Sequence, residues 1–307
     1  MVDAPGAPAA GTAETRRVLL VTHTGREQAL SVAREAHRLL HTAGIVVRVL
    51  GSEAVDLGLN PVEIADHHDT AALDVEVIMV LGGDGSILRA ARMMGANQLP
   101  ILGVNLGKLG FLADLRPDEV GAVMGEVCRG ECRLIDHMML RCRVFLDGEV
   151  VAEDVGINET AILGGPPYSM LDVELYVDGE LATTYSCDGL IVSTPVGSTA
   201  HNLSAGGPIL RKNLEAFVIS PISPHTLTVR PVVDAADRVY ELVVQRPHEA
   251  TSVVVDGRTV RRLTGRERVR IERAPWQFKL VQVRGHSYYR TLREKLGWSG
   301  GLRGAGP

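Results

Sequence analysis

The sequence has few aromatic residues and few cysteines, no long apolar run and no surplus of positive charge. Aromatic residues make up 4% of its 307 positions, and the four cysteines form no C-x-x-C pair, which argues against a zinc knuckle or a redox motif. No apolar run approaches the roughly 20 residues that a bilayer-spanning helix needs. Lys and Arg number 32 against 37 Asp and Glu, for a net charge of -5. We therefore expect neither a membrane nor a nucleic acid as a partner.

Glycine and apolar residues are abundant. Hydrophobic residues make up 45% of the chain, as in a folded protein. The length exceeds the roughly 100 to 200 residues of one domain, so we expect two domains. The 33 glycines fall in clusters, which indicates positions with φ > 0 or a close approach to a ligand. Residues 1–17 lack the apolar stretch of a signal peptide and predict a disordered tail, and the unpaired cysteines favour buried thiols in a cytoplasmic protein.

Strand and helix patterns alternate in the first part of the chain. Apolar runs typical of buried strands are followed by residues at helical spacing, with Gly44 at a helix stop and Pro117 in a first turn. This alternation predicts an α/β domain with an open parallel, Rossmann-like sheet over residues 18–133. The expected strands are 18–22, 45–50, 75–81 and 101–104, and the expected helices are 29–39, 86–94 and 117–127.

From about Arg133 the pattern changes to short strands joined by turns. Asp147-Gly148 and Asp178-Gly179 are hairpin signals, and they predict a mostly antiparallel, β-rich domain over residues 134–286. A last helix is expected at residues 288–296, within a C-terminal segment 287–307. The expected strands are 138–146, 171–177, 190–194, 239–245, 251–255, 269–272 and 278–283.

Asp84 stands inside a glycine-rich turn, Gly82-Gly83-Asp84-Gly85-Ser86, between a strand and a helix. Such a turn binds anions, because unpaired N–H groups and the helix dipole point into the same space. A carboxylate there would repel a phosphate unless it has a task of its own, such as taking a proton from a hydroxyl or helping to hold Mg²⁺ in phosphoryl transfer. The alternative is that Asp84 only caps the helix. Arg89 is expected to bind phosphate, to pair with Asp84 or to lie on the surface.

A second glycine-rich segment, residues 103–112, follows the next strand of the expected parallel sheet. Ligands of open parallel sheets bind at the carboxyl edge, so we expect this segment at the same edge as Asp84. Lys108 is a candidate phosphate contact. Phe111 is either a wall for a flat ring or a side chain that packs a turn.

Two further segments lie in the β-rich part. Asn158-Glu159 offers hydrogen bonds to a base edge, an amide or a sugar hydroxyl, although the pair alone is uninformative. The stretch from Cys187 to Pro208 joins Asp188 and an apolar strand to small hydroxyl residues and glycines. That number of small residues exceeds what a turn alone requires, which indicates backbone that closely approaches another group.

These motifs resemble, in order, the motif series of the NAD kinases, the ATP-NAD and polyphosphate/ATP-NAD kinases. The similar segments are GGDGS, VNLGKLGFLAD, INETAI, DGLIVSTPVGSTAHNLSAGGPI and VVVDGR, and the resemblance covers about Val18 to Arg290. GGDG alone also occurs in diacylglycerol and sphingosine kinases and in 6-phosphofructokinases. The STP-x-GSTA-x-x-x-SAGGP stretch is specific to the NAD kinases.

The resemblance implies transfer of the γ-phosphoryl group of ATP, or of polyphosphate, to the 2′-hydroxyl of the adenosine ribose of NAD, giving NADP. It implies a homodimer or homotetramer with NAD in a cleft and in contact with a neighbouring subunit, and Mg²⁺ or another divalent cation as cofactor. Asp84 is then the general base, and no residue is assigned as a metal ligand. The residues expected to hold the substrates are Gly85, Arg89, Phe111, Asn158, Glu159, Asp188, Thr199, Ala200, His201, Asn202, Leu203 and Ser204.

Two positions depart from the family pattern. Val196 stands where the family usually has Thr, and His201 where it usually has Tyr. The missing hydroxyl removes at most one hydrogen bond, worth about 1 kcal/mol, and histidine brings a smaller ring that titrates near neutrality. We expect these changes to affect affinity and pH dependence and to leave the reaction class unchanged.

Two other functions stay open at this stage. A lipid or sugar-phosphate kinase would share only GGDG and would leave residues 187–208 unexplained. A non-catalytic NAD(P)-binding regulator is compatible with the departures at Val196 and His201. Asp256-Gly257 is either a plain hairpin turn or part of the dinucleotide pocket, and His67-His68 is interpreted as a solvated loop rather than a metal site.

Overall fold

The computed structural model describes residues 17–22, 27–50, 53, 74–107, 110–113, 115–166, 169–226, 228–282 and 288–297. The chain divides into two compact units: unit 1 comprises residues 1–135 and 279–307, and unit 2 comprises residues 136–278. The domain boundaries expected at residues 133 and 286 stay predictions. Of the expected N-terminal tail, only Arg17 lies within the described residues.

Unit 1 is an α/β unit built on a parallel sheet, which confirms the predicted fold class. Its strands pair in parallel in the order β2-β1-β3-β4, and Leu280 pairs in parallel with Ile101 of β4. A 3₁₀ turn, Pro117–Glu119, precedes α3. The elements are β1 (Arg17–Thr22), α1 (Glu27–Thr42), β2 (Val46–Val49), β3 (Val77–Gly82), α2 (Asp84–Met94), β4 (Ile101–Asn105), α3 (Val120–Cys128) and, near the end of the chain, α5 (Tyr288–Leu296).

The apolar patterns of unit 1 decide which faces are buried. Nearly every residue of β1 and β3 is buried, as expected for parallel strands covered on both faces. Helix α2 buries Ile87, Ala90, Ala91 and Met94, whose spacing of three or four residues places them on one face. The helix predicted at residues 288–296 is confirmed as α5.

Unit 2 is mostly antiparallel β structure, as predicted. One sheet has the order β16-β13-β8-β9, with β5 paired to both β16 and β6, and the other has the order β12-β11-β10-β7-β14-β15. A 3₁₀ turn, Gly197–Thr199, leads into α4 (His201–Ser204). The strands are β5 (Arg133–Leu146), β6 (Glu149–Gly156), β7 (Glu159–Leu163), β8 (Leu171–Val177), β9 (Glu180–Cys187), β10 (Gly189–Ser193), β11 (Ala216–Ile222), β12 (Val232–Ala235), β13 (Tyr240–Val244), β14 (Ser252–Val255), β15 (Arg258–Arg262) and β16 (Glu267–Gln282).

The core of unit 2 lies between its two sheets. Buried side chains from both sheets form one apolar cluster, with Phe217 of β11 edge-on to Tyr240 of β13 at 5.5 Å between ring centroids. Both predicted Asp-Gly hairpins are present, with φ of 52° at Asp147 and 50° at Asp178. None of the described helices has the length and apolar character that crossing a bilayer requires.

One strand prediction is wrong. Residues 269–272 and 278–283 do not form two strands, because a single strand, Glu267–Gln282, runs through both ranges. Pro275 interrupts the apolar pattern in the sequence and is typical of a strand end. In the structure it lies within the strand, whose pairing with β13 involves only residues 268–271.

Candidate functional site

Asp84 is the first residue of α2, immediately after β3. The helix is capped by Gly83 without a side-chain hydrogen bond, and the N–H groups of Ser86 and Ile87 both donate to the Gly83 carbonyl. The alternative that Asp84 serves as the helix cap is therefore wrong. Its carboxylate lies in the first turn, where the positive end of the helix dipole stabilises a negative charge.

The carboxylate of Asp84 binds the loop that follows β4. The backbone N–H of Phe111 donates to Oδ2 at 2.7 Å, and those of Leu112 and Ala113 donate to Oδ1 at 2.9 and 3.1 Å. The predicted common edge is confirmed, because β3 and β4 are parallel neighbours with Gly82 beside Asn105. An ionised carboxylate has about four acceptor positions, so one position on Oδ2 is not taken by any described residue.

Gly110 allows this loop to approach Asp84. A Cβ atom at position 110 would lie 2.1 Å from Oδ1 of Asp84 and 3.0 Å from the Ala113 carbonyl oxygen. The close neighbour at this glycine is therefore part of the protein, whereas the sequence suggested a ligand. At Gly83 and Gly85 a Cβ would meet no described atom within 4 Å, which leaves room beside Asp84.

Arg89 is paired with Glu53, whereas the sequence suggested Asp84, a phosphate or a position on the surface. Its Nη2 donates to Oε1 of Glu53 at 2.5 Å and to the Thr22 carbonyl at 3.1 Å, while the Thr22 N–H donates to Oε2 of Glu53 at 2.8 Å. Glu53 is 3% exposed, and the Arg89 side chain is half exposed. A buried carboxylate needs such partners, and they anchor Arg89 beside the end of β1.

Phe111 is half-buried, and one face of its ring is in contact with a cation. The Nζ of Lys295, in α5, lies 4.2 Å from the ring centroid, within the range of a cation–π contact. The ring therefore contacts the charge of a lysine in α5. Lys108 lies outside the described residues.

A second group of candidate residues lies within unit 2, where the register of three strands brings them together. Strand β7 is antiparallel to both β10 and β14, with Glu159 beside Ser193 and Thr160 beside Val255. The start of β7 and the ends of β10 and β14 consequently lie side by side. This arrangement brings Asn158 and Glu159 next to the residues that follow β10.

Thr194 and Gly197 join the segment after β10 to the Asn158 loop. The Thr194 N–H donates to the Asn158 carbonyl at 2.8 Å, its hydroxyl donates to the Ile157 carbonyl, and it accepts the Gly197 N–H at 3.1 Å. A Cβ at Gly197 would lie 2.1 Å from the Asn158 carbonyl oxygen. Only glycine permits this approach of one backbone to the other.

Glu159 is a buried carboxyl group without a full set of partners. It is 7% exposed, and its Oε2 has no hydrogen-bond partner among the described residues. Burial raises the pKa of Glu159, the negative charge of Asp256 adds to this rise, and a hydrogen bond from the His201 backbone opposes both, so that the pKa is about 8. At neutral pH the side chain is therefore largely protonated and able to donate as well as accept a hydrogen bond.

Asn202 is fully buried, and its amide is used inside unit 2. Nδ2 donates to the Ser198 and Pro208 carbonyls, both at 3.1 Å, and Oδ1 accepts the Ser220 hydroxyl at 2.7 Å. The predicted neighbours differ in exposure: Thr199, Ala200, His201 and Leu203 are half-buried, and Ser204 is exposed. The Asn202 side chain therefore shapes the turn that presents these residues.

The comparisons with known proteins give the family. The chain matches the model of the ATP-NAD kinase N-terminal domain over residues 18–132 and that of the ATP-NAD kinase C-terminal domain over residues 157–283. An NAD kinase of Rhodopirellula baltica is 58% identical over 235 residues, covering 76% of each chain, and an NAD kinase of Alcanivorax borkumensis is 36% identical over 288 residues, covering 92% of this chain and 94% of that one.

The chain belongs to the NAD kinase family. Its fold is similar to that of yeast NADH kinase, solved with NADH, with a TM-score of 0.87 at 22% identity over 95% of this chain and 91% of the other. An NAD kinase from Archaeoglobus fulgidus, solved with ATP, gives a TM-score of 0.70 at 25% identity over 92% of this chain and 97% of the other. The second match is at a lower TM-score but spans nearly the whole of both chains.

Asp188 is the one expected dinucleotide residue of unit 2 that lies apart from the others in this NAD kinase family member. It is exposed and precedes β10, whose first residue pairs with Leu163 at the far end of β7. Thr194 follows the other end of β10. At roughly 3.3 Å per residue the two positions are about 20 Å apart, so the structure does not bring Asp188 to Asn158.

Both departures from the NAD kinase pattern lie in the assembled segment. Val196 is buried at 2% exposure, and its carbonyl accepts the Thr199 hydroxyl at 3.2 Å. His201 is half-buried, and its backbone N–H lowers the pKa of Glu159. The valine is therefore accommodated within the protein, whereas the histidine lies beside the buried carboxyl group.

Sequence reasoning missed two residues that hold the candidate site residues in place, Glu53 in unit 1 and Thr194 in unit 2, and it left the role of Asp256 open. The carboxylate of Asp256 accepts three backbone N–H groups, from residues 157 to 159. The signal that pointed to it is an Asp-Gly pair directly after an apolar strand. Glu53 and Thr194 carry no comparable signal, because their partners are distant backbone groups.

Proposed function

We propose that the protein transfers the γ-phosphoryl group of ATP to the 2′-hydroxyl of the adenosine ribose of NAD, giving NADP, with Asp84 as general base. The match of residues 18–132 and 157–283 to the two NAD kinase domains carries the proposal. The position of Asp84 in a glycine turn at the start of a helix supports it, because a phosphate fits such a turn.

Asp84 accepts the proton of the attacking hydroxyl at the open position of Oδ2. The three N–H groups of residues 111–113 orient the carboxylate and leave that position available. Positioning of this kind lowers the barrier, and general-base help adds about 10²-fold to 10⁴-fold. Gly85 leaves open space next to the carboxylate, which the hydroxyl needs.

The residues assembled around Asn158 hold the dinucleotide. Asn158 and Glu159 bind polar groups of the adenosine half, Glu159 as a largely neutral carboxyl that both donates and accepts. Thr199, Ala200, His201, Leu203 and Ser204 contact it from the segment after β10, and Asn202 acts by holding that segment in shape. Arg89 reaches a phosphate from its anchor on Glu53, and Phe111 lines the pocket.

A divalent cation is expected to arrive with the nucleotide. Within the ranges that the structure describes, no group of three His, Cys, Asp or Glu side chains is close enough to hold a metal. A cation site made by the protein alone therefore does not fit the described residues. Mg²⁺ commonly keeps several waters and binds through one or two carboxylates and the substrate phosphates. The roles proposed here for the side chains of the protein do not depend on the cation.

A direct assay tests the proposed function. The purified chain is incubated with ATP, Mg²⁺ and NAD, and NADP is followed with an NADP-specific dehydrogenase; parallel reactions replace ATP by polyphosphate and NAD by NADH, diacylglycerol, sphingosine or fructose 6-phosphate. We expect NADP formation from ATP and NAD. NAD binding without NADP formation identifies a regulator, and phosphorylation of a lipid or sugar phosphate alone identifies the rival kinase; either result refutes the proposal.

We also propose a homodimer or homotetramer, and the position of Asp188 supports it. A residue about 20 Å from Asn158 along β10 reaches a dinucleotide bound there more easily if it comes from a second copy. Asp84→Asn and Asp188→Ala chains, each inactive alone, should regain activity when they are unfolded together and refolded as a mixture. Equal inactivity of the mixture, or a monomeric mass by light scattering, would contradict a shared site.

The cytoplasmic location remains part of the proposal. Cys142 and Cys187 are buried, and burial raises the pKa of Cys142 to about 12 and that of Cys187 to about 11. Such thiols stay protonated and unreactive, which suits a compartment that keeps cysteine reduced.

A further inference from the structure

We propose that Asp256 is a positioning residue of the dinucleotide site, which fixes Asn158 and Glu159 through their backbone N–H groups. The inference rests on the proposed function and adds a residue that contacts no reacting atom. It removes the alternative that Asp256-Gly257 is only a hairpin turn. The carboxylate of that turn is directed at the loop that carries the two site residues.

The contacts of Asp256 differ from those of the other Asp-Gly turns. Its Oδ2 accepts the Ile157 N–H at 2.8 Å, and its Oδ1 accepts those of Asn158 and Glu159 at 2.9 and 3.1 Å. Its own N–H donates to the Glu159 carbonyl at 3.1 Å. By contrast, the exposed carboxylate of Asp178, in the same type of turn, accepts one backbone N–H, from Val239, and pairs with Arg238.

Among the described residues, the same arrangement is found at Asp84. There too Oδ2 accepts the first of three successive N–H groups and Oδ1 accepts the second and third, at 2.7, 2.9 and 3.1 Å. Bonds between a charged acceptor and backbone N–H groups are stronger than neutral ones. The two loops held in this way are the ones that carry Phe111 and the Asn158-Glu159 pair, so an aspartate holds two of the segments with predicted ligand contacts.

Asp256 also acts on the charge of Glu159. Among the described residues, the groups that shift the pKa of Glu159 are the Asp256 carboxylate, which raises it, and the His201 backbone N–H, which lowers it, and burial has the largest effect. Removing the charge of Asp256 therefore lowers the pKa of Glu159. A residue that only closed a turn would leave this titration unchanged.

Asp256→Asn is the test variant, because asparagine tolerates the φ of 45° at this position and removes the charge with little change of shape. Asp178→Asn makes the same change in the turn at φ 50° that bonds to Val239. NAD binding is measured by calorimetry from pH 6 to 9, amide exchange of residues 157–159 by mass spectrometry, and kcat and KM by the NADP assay.

For Asp256→Asn we expect NAD to bind about tenfold more weakly, as loss of one charge-assisted contact implies. KM for NAD should rise with kcat changed by less than about threefold, amide exchange should accelerate, and the pH dependence of binding should move to lower pH. Asp178→Asn should match the wild type in every measurement. Glu159→Gln should remove the pH dependence of NAD binding that comes from the raised pKa of this carboxyl group.

Unchanged NAD binding, amide exchange and titration in Asp256→Asn would overturn the proposal, as would equal effects in Asp178→Asn. If Asp256→Asn does not fold, Asp256→Ser supplies the same comparison, since its hydroxyl accepts one N–H without charge. A wild-type chain that binds no NAD would refute the proposed function; amide exchange of residues 157–159 would still decide whether Asp256 fixes their loop.

Discussion

At the scale of single residues, Asp84 carries both a proposed chemical task and a structural one. Its carboxylate is the acceptor for three successive N–H groups of the loop after β4. A substitution there changes the loop as well as the proton acceptor. Asp84→Asn, although nearly isosteric, therefore alters the contacts of the loop as well as the proton acceptor.

Asp84→Asn should lower turnover by at least about 10²-fold, because the proton acceptor is lost. It should also lower the free energy of unfolding by about 1–3 kcal/mol, because the NH₂ group of asparagine is a donor and cannot accept a hydrogen bond from the backbone N–H groups of the loop. Steady-state kinetics and urea unfolding measure the two effects. NAD binding should stay largely intact.

The control for Asp84→Asn is Asp118→Asn, which alters an exposed carboxylate paired with Arg116. Exposed pairs contribute little, so this variant should unfold as the wild type does. Unfolding of Asp84→Asn at the wild-type urea concentration would contradict the three hydrogen bonds. Wild-type turnover would remove Asp84 from the chemistry.

At the scale of elements, the turn after β4 is built around one glycine. Gly110→Ala should destabilise unit 1 and reduce turnover, because the added Cβ would lie 2.1 Å from Oδ1 of Asp84. Either the carboxylate or the loop must move, at a cost of about 1–3 kcal/mol. Urea unfolding and the NADP assay measure the loss.

Gly121→Ala is the matched control for Gly110→Ala. Gly121 lies in α3 with no described atom within 4 Å of an added Cβ, so alanine should stabilise the helix by about 0.5–1 kcal/mol. A Gly110→Ala chain as stable and as active as the wild type would show that the loop does not need this contact.

Sequence patterns predicted many of the elements with buried apolar faces, but not all of them. β1, β3, α2 and α5 were expected and are present, whereas the buried strands β7 and β11 were not expected. β9 and β15 were not expected either, because ELATTYSC and RTVRR lie at sheet edges with mostly exposed polar residues. Edge strands lack the apolar alternation on which such predictions depend. Their pairing is decided by the neighbouring strand.

The candidate site was predictable as a set of motifs, and its internal contacts were not. GGDG and the stretch around Gly197 stood out by composition. The partners of Asp84, Arg89 and Asp256 did not, because they are backbone groups or a carboxylate 27 to 99 residues away along the chain. The local sequence shows which chemical groups are present, and the register of the strands determines which of these groups come into contact.

At the scale of the whole molecule, two buried titrating groups affect stability with opposite signs. His137 is 3% exposed and stacks 5.8 Å from Phe278, and burial, with a smaller effect of Lys212, lowers its pKa from 6.5 to about 4. The unfolded chain therefore binds more protons between these values. Stability contributed by neutral His137 is complete above pH 6.5 and is lost as pH falls toward 4.

Glu159 acts in the other direction. Its pKa rises from 4.5 to about 8 on folding, so the folded chain binds more protons in that range, and its contribution to stability is lost as pH rises through it. In the wild type the two slopes oppose each other where the ranges overlap. Single variants should separate them.

His137→Gln should make the free energy of unfolding less sensitive to acid, removing a loss of roughly 3 kcal/mol between pH 6.5 and 4. Urea unfolding at a series of pH values measures this slope. The control is His225→Gln, which removes an exposed histidine of unit 2. The same change of slope in both variants would contradict the assignment to the buried ring.

The division of the chain also affects how it is synthesised. Residues 136–278 are inserted within the sequence of unit 1, and Leu280 and Val281 belong to the sheet and apolar core of that unit. Translation proceeds from the N-terminus, so β1 to β4 leave the ribosome long before the segment that completes their packing. The inserted β structure can therefore fold before the sheet of β1 to β4 is complete. Nascent chains that stall before residue 279 should retain an exposed apolar edge to which chaperones can bind.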